Sequence, residues 1–187
     1  THRPQTVAPA ARKHRKHPQL RMGVVGLALL GKENNPLYIR EFDTQSDRFR
    51  KRQHPTGAGP ESTSSENFHF VVHSALDHVE EKVNAQKHAV APVGSGAGSA
   101  KLDMYLGMLF PIVEFKVYGY LTNSKIKLLV VIDDEDVKEP EMRAFFRRVH
   151  TLYADTISNP FYSPDTELAQ STSFQRQVER IVEAGLY

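Results

Sequence analysis

The sequence predicts an α+β fold: an antiparallel sheet held between helices in a three-layer α-β-α arrangement, with the element order ββαβββαα. Three observations predict it. Residues 22–30 are apolar at nearly every position, the pattern of a strand covered on both faces rather than one alternating between core and water. Glu114–Thr122 and Lys125–Asp133 read as two strands joined at Asn123-Ser124. Three further stretches repeat apolar residues at three- and four-residue steps, the signature of helices with one buried face. A sheet buried on both sides needs cover on each, and a helix between strands plus a terminal helix pair supplies it.

Residues 1–20 hold prolines, alanines, histidines and basic residues without an apolar period, so they form a disordered basic arm that cannot offset the entropy of ordering. The domain proper is then 21–187. Its first strand, Met22–Leu30, is expected to be central. Gly31–Pro36 turns the chain, and Leu37–Phe42 returns as the second strand. Residues 46–66 are charged and then rich in Pro, Gly and Ser, and read as a long loop. The first helix is expected over Asn67–Lys87, with Phe68, Val71, Val72, Ala75, Leu76, Val79 and Val83 in one stripe, and with Thr63 and Glu66 as its capping box. Residues 89–101, alternating Gly and Ser after Pro92, read as a second loop insertion. Met104–Phe110 is the weakest of the strand patterns. Pro140 suits the first turn of a helix whose Met142, Phe145, Phe146, Val149, Leu152, Tyr153 and Ile157 line one face, and Asn159-Pro160 ends it. The last helix, about Ser171–Ala184, is expected to bury Phe174, Val178, Ile181 and Val182.

Composition narrows the function classes. A chain of 187 residues with 40% hydrophobic content can bury one substantial core. The absence of cysteine removes disulfides, thiolate zinc sites and thiol nucleophiles, and fits a reducing compartment such as the cytosol. The apolar run at 22–30 falls well short of the ~18 residues of a membrane span and is closed by Arg21 and Lys32. A basic region followed by an apolar run has the order of a secretory signal, but two glycines and a hairpin turn make it read better as a strand. The formal charge of +2 conceals an asymmetry. Six basic residues and no acid precede residue 22, leaving 18 basic against 22 acidic residues beyond it, a body of about −4. The folded part is therefore not expected to be a general polyanion binder.

No residue pattern nominates an active site. His69 and His73 have the spacing of paired metal ligands, but Phe70 stands where the zincin motif needs a glutamate, and no third ligand is evident. Gly94–Lys101 imitates a phosphate loop with the wrong spacing and the wrong flanking elements. No G-x-S-x-G elbow is present. The acidic run Asp133–Asp136 lacks calcium-loop spacing and reads as a helix cap. Neither an enzyme nor a cofactor is expected. The basic arm could contact an anionic membrane surface peripherally, whereas without interleaved aromatics it suggests no specific nucleic acid.

Several local strings carry a resemblance: Asn35-Pro-Leu-Tyr38, Ser74-Ala-Leu-Asp77 with Glu80-Glu-Lys82, Tyr105-Leu-Gly107, Lys116-Val-Tyr-Gly-Tyr-Leu-Thr-Asn-Ser-Lys125, and Asn159-Pro-Phe-Tyr162 with Ser173-Phe174. In this order they resemble the sedlin family of longin-like (SNARE-like, profilin-like) proteins, in its TRAPP subunit-two-like branch. The arm before Met22, the loop around His54–Ser65 and the insertion around Gly94–Gly98 depart from the family pattern, each between elements.

The resemblance implies a noncatalytic, hetero-oligomeric subunit of the TRAPP vesicle-tethering complex, partnered by other TRAPP subunits and indirectly by a Rab-type GTPase whose nucleotide exchange the assembly supports. Its place would be cytoplasmic, peripheral at Golgi and ER-Golgi membranes. Another longin-type trafficking adaptor is the alternative, and a small hydrolase is less supported. A SNARE fits poorly, since no long heptad helix follows Tyr187. Two sets of residues stand out. His73, Asp77, Glu80, Glu81 and Asn84 fall opposite the apolar stripe of the first helix; solvation alone explains such a face, and the resemblance adds partner docking. Asn159, Pro160, Phe161 and Tyr162 read as a structural corner near a partner surface, its aromatics anchoring the last helix.

Overall fold

A computed structural model describes residues 23–42, 64–89, 103–112, 115–133, 137–162 and 168–185. The basic arm, most of both loop insertions and Thr63 of the expected capping box lie outside them. Five strands, β1 (Val24–Leu30), β2 (Pro36–Glu41), β3 (Tyr105–Ile112), β4 (Phe115–Leu121) and β5 (Lys127–Asp133), form one antiparallel sheet in the order β2-β1-β5-β4-β3. Helix α1 (Ser64–Ala89) follows β2, and helices α2 (Glu139–Ile157) and α3 (Thr172–Ala184) follow β5, with a 3-10 turn at Leu168–Gln170 between them. The order ββαβββαα and the α+β class are as the sequence predicts.

Side-chain alternation explains the layering. Along β5, Leu128, Val130 and Ile132 point to one cluster of buried residues, while Leu129 and Val131 point to the other. The strand is buried on both faces, so it must lie between two covers. Phe68, Val71, Val72, Ala75, Leu76 and Val79 of α1 close one side. Met142, Phe145, Phe146, Val149 and Leu152 of α2, with Phe174 and Val178 of α3, close the other. Each fully buried side chain of this size contributes roughly 1.5–3 kcal/mol of burial. All seven residues of β1 are buried, as its unbroken apolar run requires, but β1 is flanked by β2 and β5, and β5 takes the middle position.

The boundaries shift where local signals compete with packing. Helix α1 begins at Ser64 and ends at Ala89, so both ends extend into segments whose composition reads as loop. The N-cap of α2 is Lys138, which makes no side-chain capping bond; Glu139 and Glu141 put negative charge in its first turn, and residues 134–136 of the acidic run lie outside the described part. Pro140 sits at the start of the helix as expected. Ile157, expected on the buried face of α2, is 40% exposed because it falls in the last turn, beyond the edge of the core. Ser171 caps α3 by accepting a bond from the Phe174 N–H at 3.3 Å, and Ile181 and Val182 are only partly buried against the core.

Two polar clasps tie layers together. Arg40 of β2 reaches Glu179 of α3 at 2.5 Å, beside Tyr38, whose ring meets Phe174 edge-on at 5.2 Å. Arg143 of α2 binds Asp103 at 2.8 Å and Glu139 at 2.7 Å and lies over the Tyr105 ring at 4.5 Å. Burial pushes the Tyr105 phenol up to about 12. Burial also pushes the Asp103 carboxyl upward, but the Tyr105 N–H and the Arg143 guanidinium outweigh it and hold this group below its ordinary value.

One close approach fixes how α1 seats on the sheet. The hydrogen-bearing face of Gly26 in β1 lies against the Phe68 ring, and a Cβ placed there would fall inside van der Waals contact with that ring. Gly26→Ala should lower stability by about 1–3 kcal/mol in urea denaturation, and Phe68→Leu in the same chain should restore part of the loss. An unchanged midpoint for Gly26→Ala would show that the ring has room to move aside.

Candidate functional site

With both faces of the sheet covered, the outward surface of α1 is a broad regular face directed away from the core. At roughly 100° per residue, His73, Asp77, Glu80, Glu81 and Asn84 fall within one arc of about 100°. All five are exposed, opposite the buried stripe, so the structure brings together every residue that the sequence assigns to this face. Among the described residues Asp77 makes no ion pair, which leaves its carboxylate available to a partner. His78, at the margin of the face, lies against the Phe110 ring at 4.7 Å and comes within 3.6 Å of Glu81.

Phe70 completes the arc. It is 73% exposed, one and two heptads before Asp77 and Asn84, and so adds an aromatic ring at the N-terminal end of the face. Water-exposed aromatics of this kind are favoured anchors of protein interfaces. The signal was present in the sequence as an apolar residue out of phase with the stripe, although there it served only to argue against a metal motif.

The corner after α2 behaves differently from its expectation. Asn159 turns the chain: its Oδ1 accepts from the Phe161 N–H at 3.0 Å and its carbonyl from the Tyr162 N–H at 2.9 Å. Pro160 is exposed and Phe161 is 94% exposed, so Phe161 does not anchor α3. Only Tyr162 turns inward, packing against the core beneath α2 and α3, where burial pushes its phenol up. The two candidate regions therefore lie on opposite layers, one on α1 and the other at the end of α2, and do not form a single site.

Among the described residues, no three His, Asp or Glu side chains are grouped as metal ligands, and no helix is long and apolar enough to cross a membrane. The α1 face and the corner are built mostly of exposed side chains, the first on a long helix and the second at the turn that ends α2.

A family model described as Sedlin matches residues 29–184, from within β1 to the last residue of α3. The chain belongs to the sedlin family. Its longin-like α+β fold is the one the strings in the sequence suggested. The "Trafficking protein particle complex subunit 2-like protein" of Dictyostelium discoideum is 37% identical over 163 residues, covering 85% of this chain and 96% of that protein. The mouse protein of the same name is 36% identical over 156 residues, covering 82% of this chain and 93% of its own length. "Trafficking protein particle complex subunit 20" of Saccharomyces cerevisiae is 28% identical over 183 residues. These alignments cover nearly the whole of each relative, so the sedlin-family core is shared from end to end.

The exposure of Phe161 reverses the stability expected from its sequence context. Phe161→Ala should leave thermal stability within about 0.5 kcal/mol of the parent, as for a surface substitution. A large drop in melting temperature would mean that the ring packs in solution after all.

Proposed function

We propose that this chain is a noncatalytic subunit of the trafficking protein particle complex. In this reading it docks on neighbouring subunits through the outward face of α1 and so supports the assembly that promotes nucleotide exchange on a Rab-type GTPase. The observation that carries the proposal is the near full-length match to relatives named as subunits of that complex. The geometry agrees with it, because the double-sided core consumes the interior and leaves helix faces for recognition.

Binding through this face follows from its chemistry. Asp77, Glu80 and Glu81 present negative charge about two to three helical turns beyond the ring of Phe70, a pattern that fits a basic partner surface with an apolar recess at one end. The Phe161 corner would serve a second contact on the opposite layer. The work of such a subunit would lie at cytoplasmic faces of Golgi and ER-Golgi membranes, with the basic arm, outside the described residues, adding peripheral attraction to anionic lipid.

Affinity purification of the full chain followed by mass spectrometry tests the reading, and recovery of the other subunits of the complex is the expected result. Asp77→Tyr replaces a charge with bulk at the centre of the face. It should reduce recovery of the directly bound subunit about tenfold or more while leaving the melting temperature unchanged. Undiminished recovery with Asp77→Tyr would remove the α1 face from the interface, and a chain purified without any of those subunits would overturn the function itself.

A further inference from the structure

A second feature lies at one end of the sheet, under the C-terminal half of α1. The β1–β2 turn and the β4–β5 turn meet there, because Leu30 pairs with Lys127 across β1 and β5, and Leu121 pairs with Lys127 across β4 and β5. The turns and the helix border an open groove of about 410 Å³. Lys32 comes from the first turn, Lys125 from the second, Lys127 from the start of β5 and Lys87 from the last turn of α1. Four lysines thus line the groove with one acidic residue, Glu80, and with Val83 and Leu121 as an aliphatic wall. The body of the chain carries a net negative charge, so this concentration of positive charge runs against its composition.

Two details set the cluster apart from a solvated lysine patch. Lys127 occupies a β5 position on the α1 side, where Leu129 and Val131 follow as core residues, and it is itself buried at 8% exposure. Its ammonium donates to the Lys32 carbonyl at 3.3 Å, and among the described residues no carboxylate forms an ion pair with it. Burial and the neighbouring Lys125 both disfavour its charge, with Glu80 opposing them. Lys125 is also held at φ 68°, in the left-handed region that Gly and Asn occupy with less strain. The turn keeps that backbone through Lys125 N–H to the Thr122 carbonyl at 3.0 Å and Ile126 N–H to Thr122 Oγ1 at 2.9 Å. A lysine in a strained turn position and a buried lysine with no direct ion pair among the described residues both line the same groove.

We propose that this groove binds a small ligand bearing two or more phosphate groups, as a soluble phosphorylated polyol or as the headgroup of a phosphorylated lipid. Its size matches small-molecule sites. The donor set suits clustered phosphates: it consists of lysine ammonium groups, compact charges that can donate to oxygens in several directions. An entering anion would neutralise Lys127 and Lys125 together. The groove shares Glu80 and Asn84 with the outward face of α1, whereas Asp77 does not line it, so a substitution at Asp77 tests docking separately.

Titration calorimetry of the full chain with inositol trisphosphate, and co-sedimentation with phosphatidylcholine vesicles with and without phosphatidylinositol bisphosphate, test it. Lys87→Gln and Lys125→Asn should each weaken binding about fivefold to tenfold. Lys125→Asn should do so with undiminished thermal stability, because Asn relieves the left-handed turn. Asp77→Tyr should leave the affinity unchanged, which separates this site from the docking face. Binding to both probes assigns the site to a lipid headgroup, and binding to inositol trisphosphate alone assigns it to a soluble phosphate; either supports the proposal. It is overturned by an absence of saturable binding to both probes, or by affinity that survives the groove substitutions but falls with Lys13→Gln and Lys16→Gln in the basic arm. Saturable binding of a phosphoserine peptide, with neither probe bound, would equally overturn it in favour of a protein ligand.

Discussion

The burial of β5 on both faces is the constraint from which the rest of the architecture follows. A strand whose successive residues Leu128, Leu129, Val130, Val131 and Ile132 all leave water cannot sit in a sheet with one wet side. It needs apolar cover above and below, and the chain supplies α1 on one side and the α2–α3 pair on the other. Removing either layer would expose a continuous apolar sheet face. The Gly26–Phe68 approach and the Arg40–Glu179 and Arg143–Asp103 clasps then set where each cover sits.

Outside the core, the chain exposes the outer faces of the covers and the ends of the sheet. The outward face of α1 is rigid because its opposite side is locked into the core, and rigidity lowers the entropy lost when such a face binds. The same locking aligns the side chains of Phe70, Asp77 and Asn84 along one line of the helix. The lysine groove has another origin. Strand pairing brings two turns to one edge of the sheet, and α1 is long enough to overhang them by its last turns, so a concave surface forms where three connections converge. Glu80 and Asn84 border both features, and the helix therefore joins an acidic exposed face to a basic recess within two turns.

Much of this was legible along the chain. The 3.6-residue stripes located all three helices, and the unbroken apolar run at 22–30 announced a two-sided sheet, because both signals are written in neighbours a few residues apart. The exposed positions His73, Asp77, Glu80, Glu81 and Asn84 followed from the same periodicity, since one face of a helix is known once the other is. Boundaries were less legible. Ser64–Glu66 and Ala89 have loop-like surroundings, yet helix α1 continues through them, as backbone hydrogen bonding can propagate past weak local preference.

The sequence by itself determined the fold class, the element order and which helix faces are wet, because each depends on local period and on the need to bury apolar residues. Tertiary structure alone decided three things. It put β5 rather than β1 in the middle of the sheet, a matter of long-range pairing. It turned Phe161 out and Tyr162 in, although the two aromatics are adjacent in sequence, because the Asn159 turn directs only the second toward the core. And it gathered Lys32, Lys87 and the pair Lys125 and Lys127 around one groove, from three segments so far apart in sequence that only chain closure in space can make them neighbours.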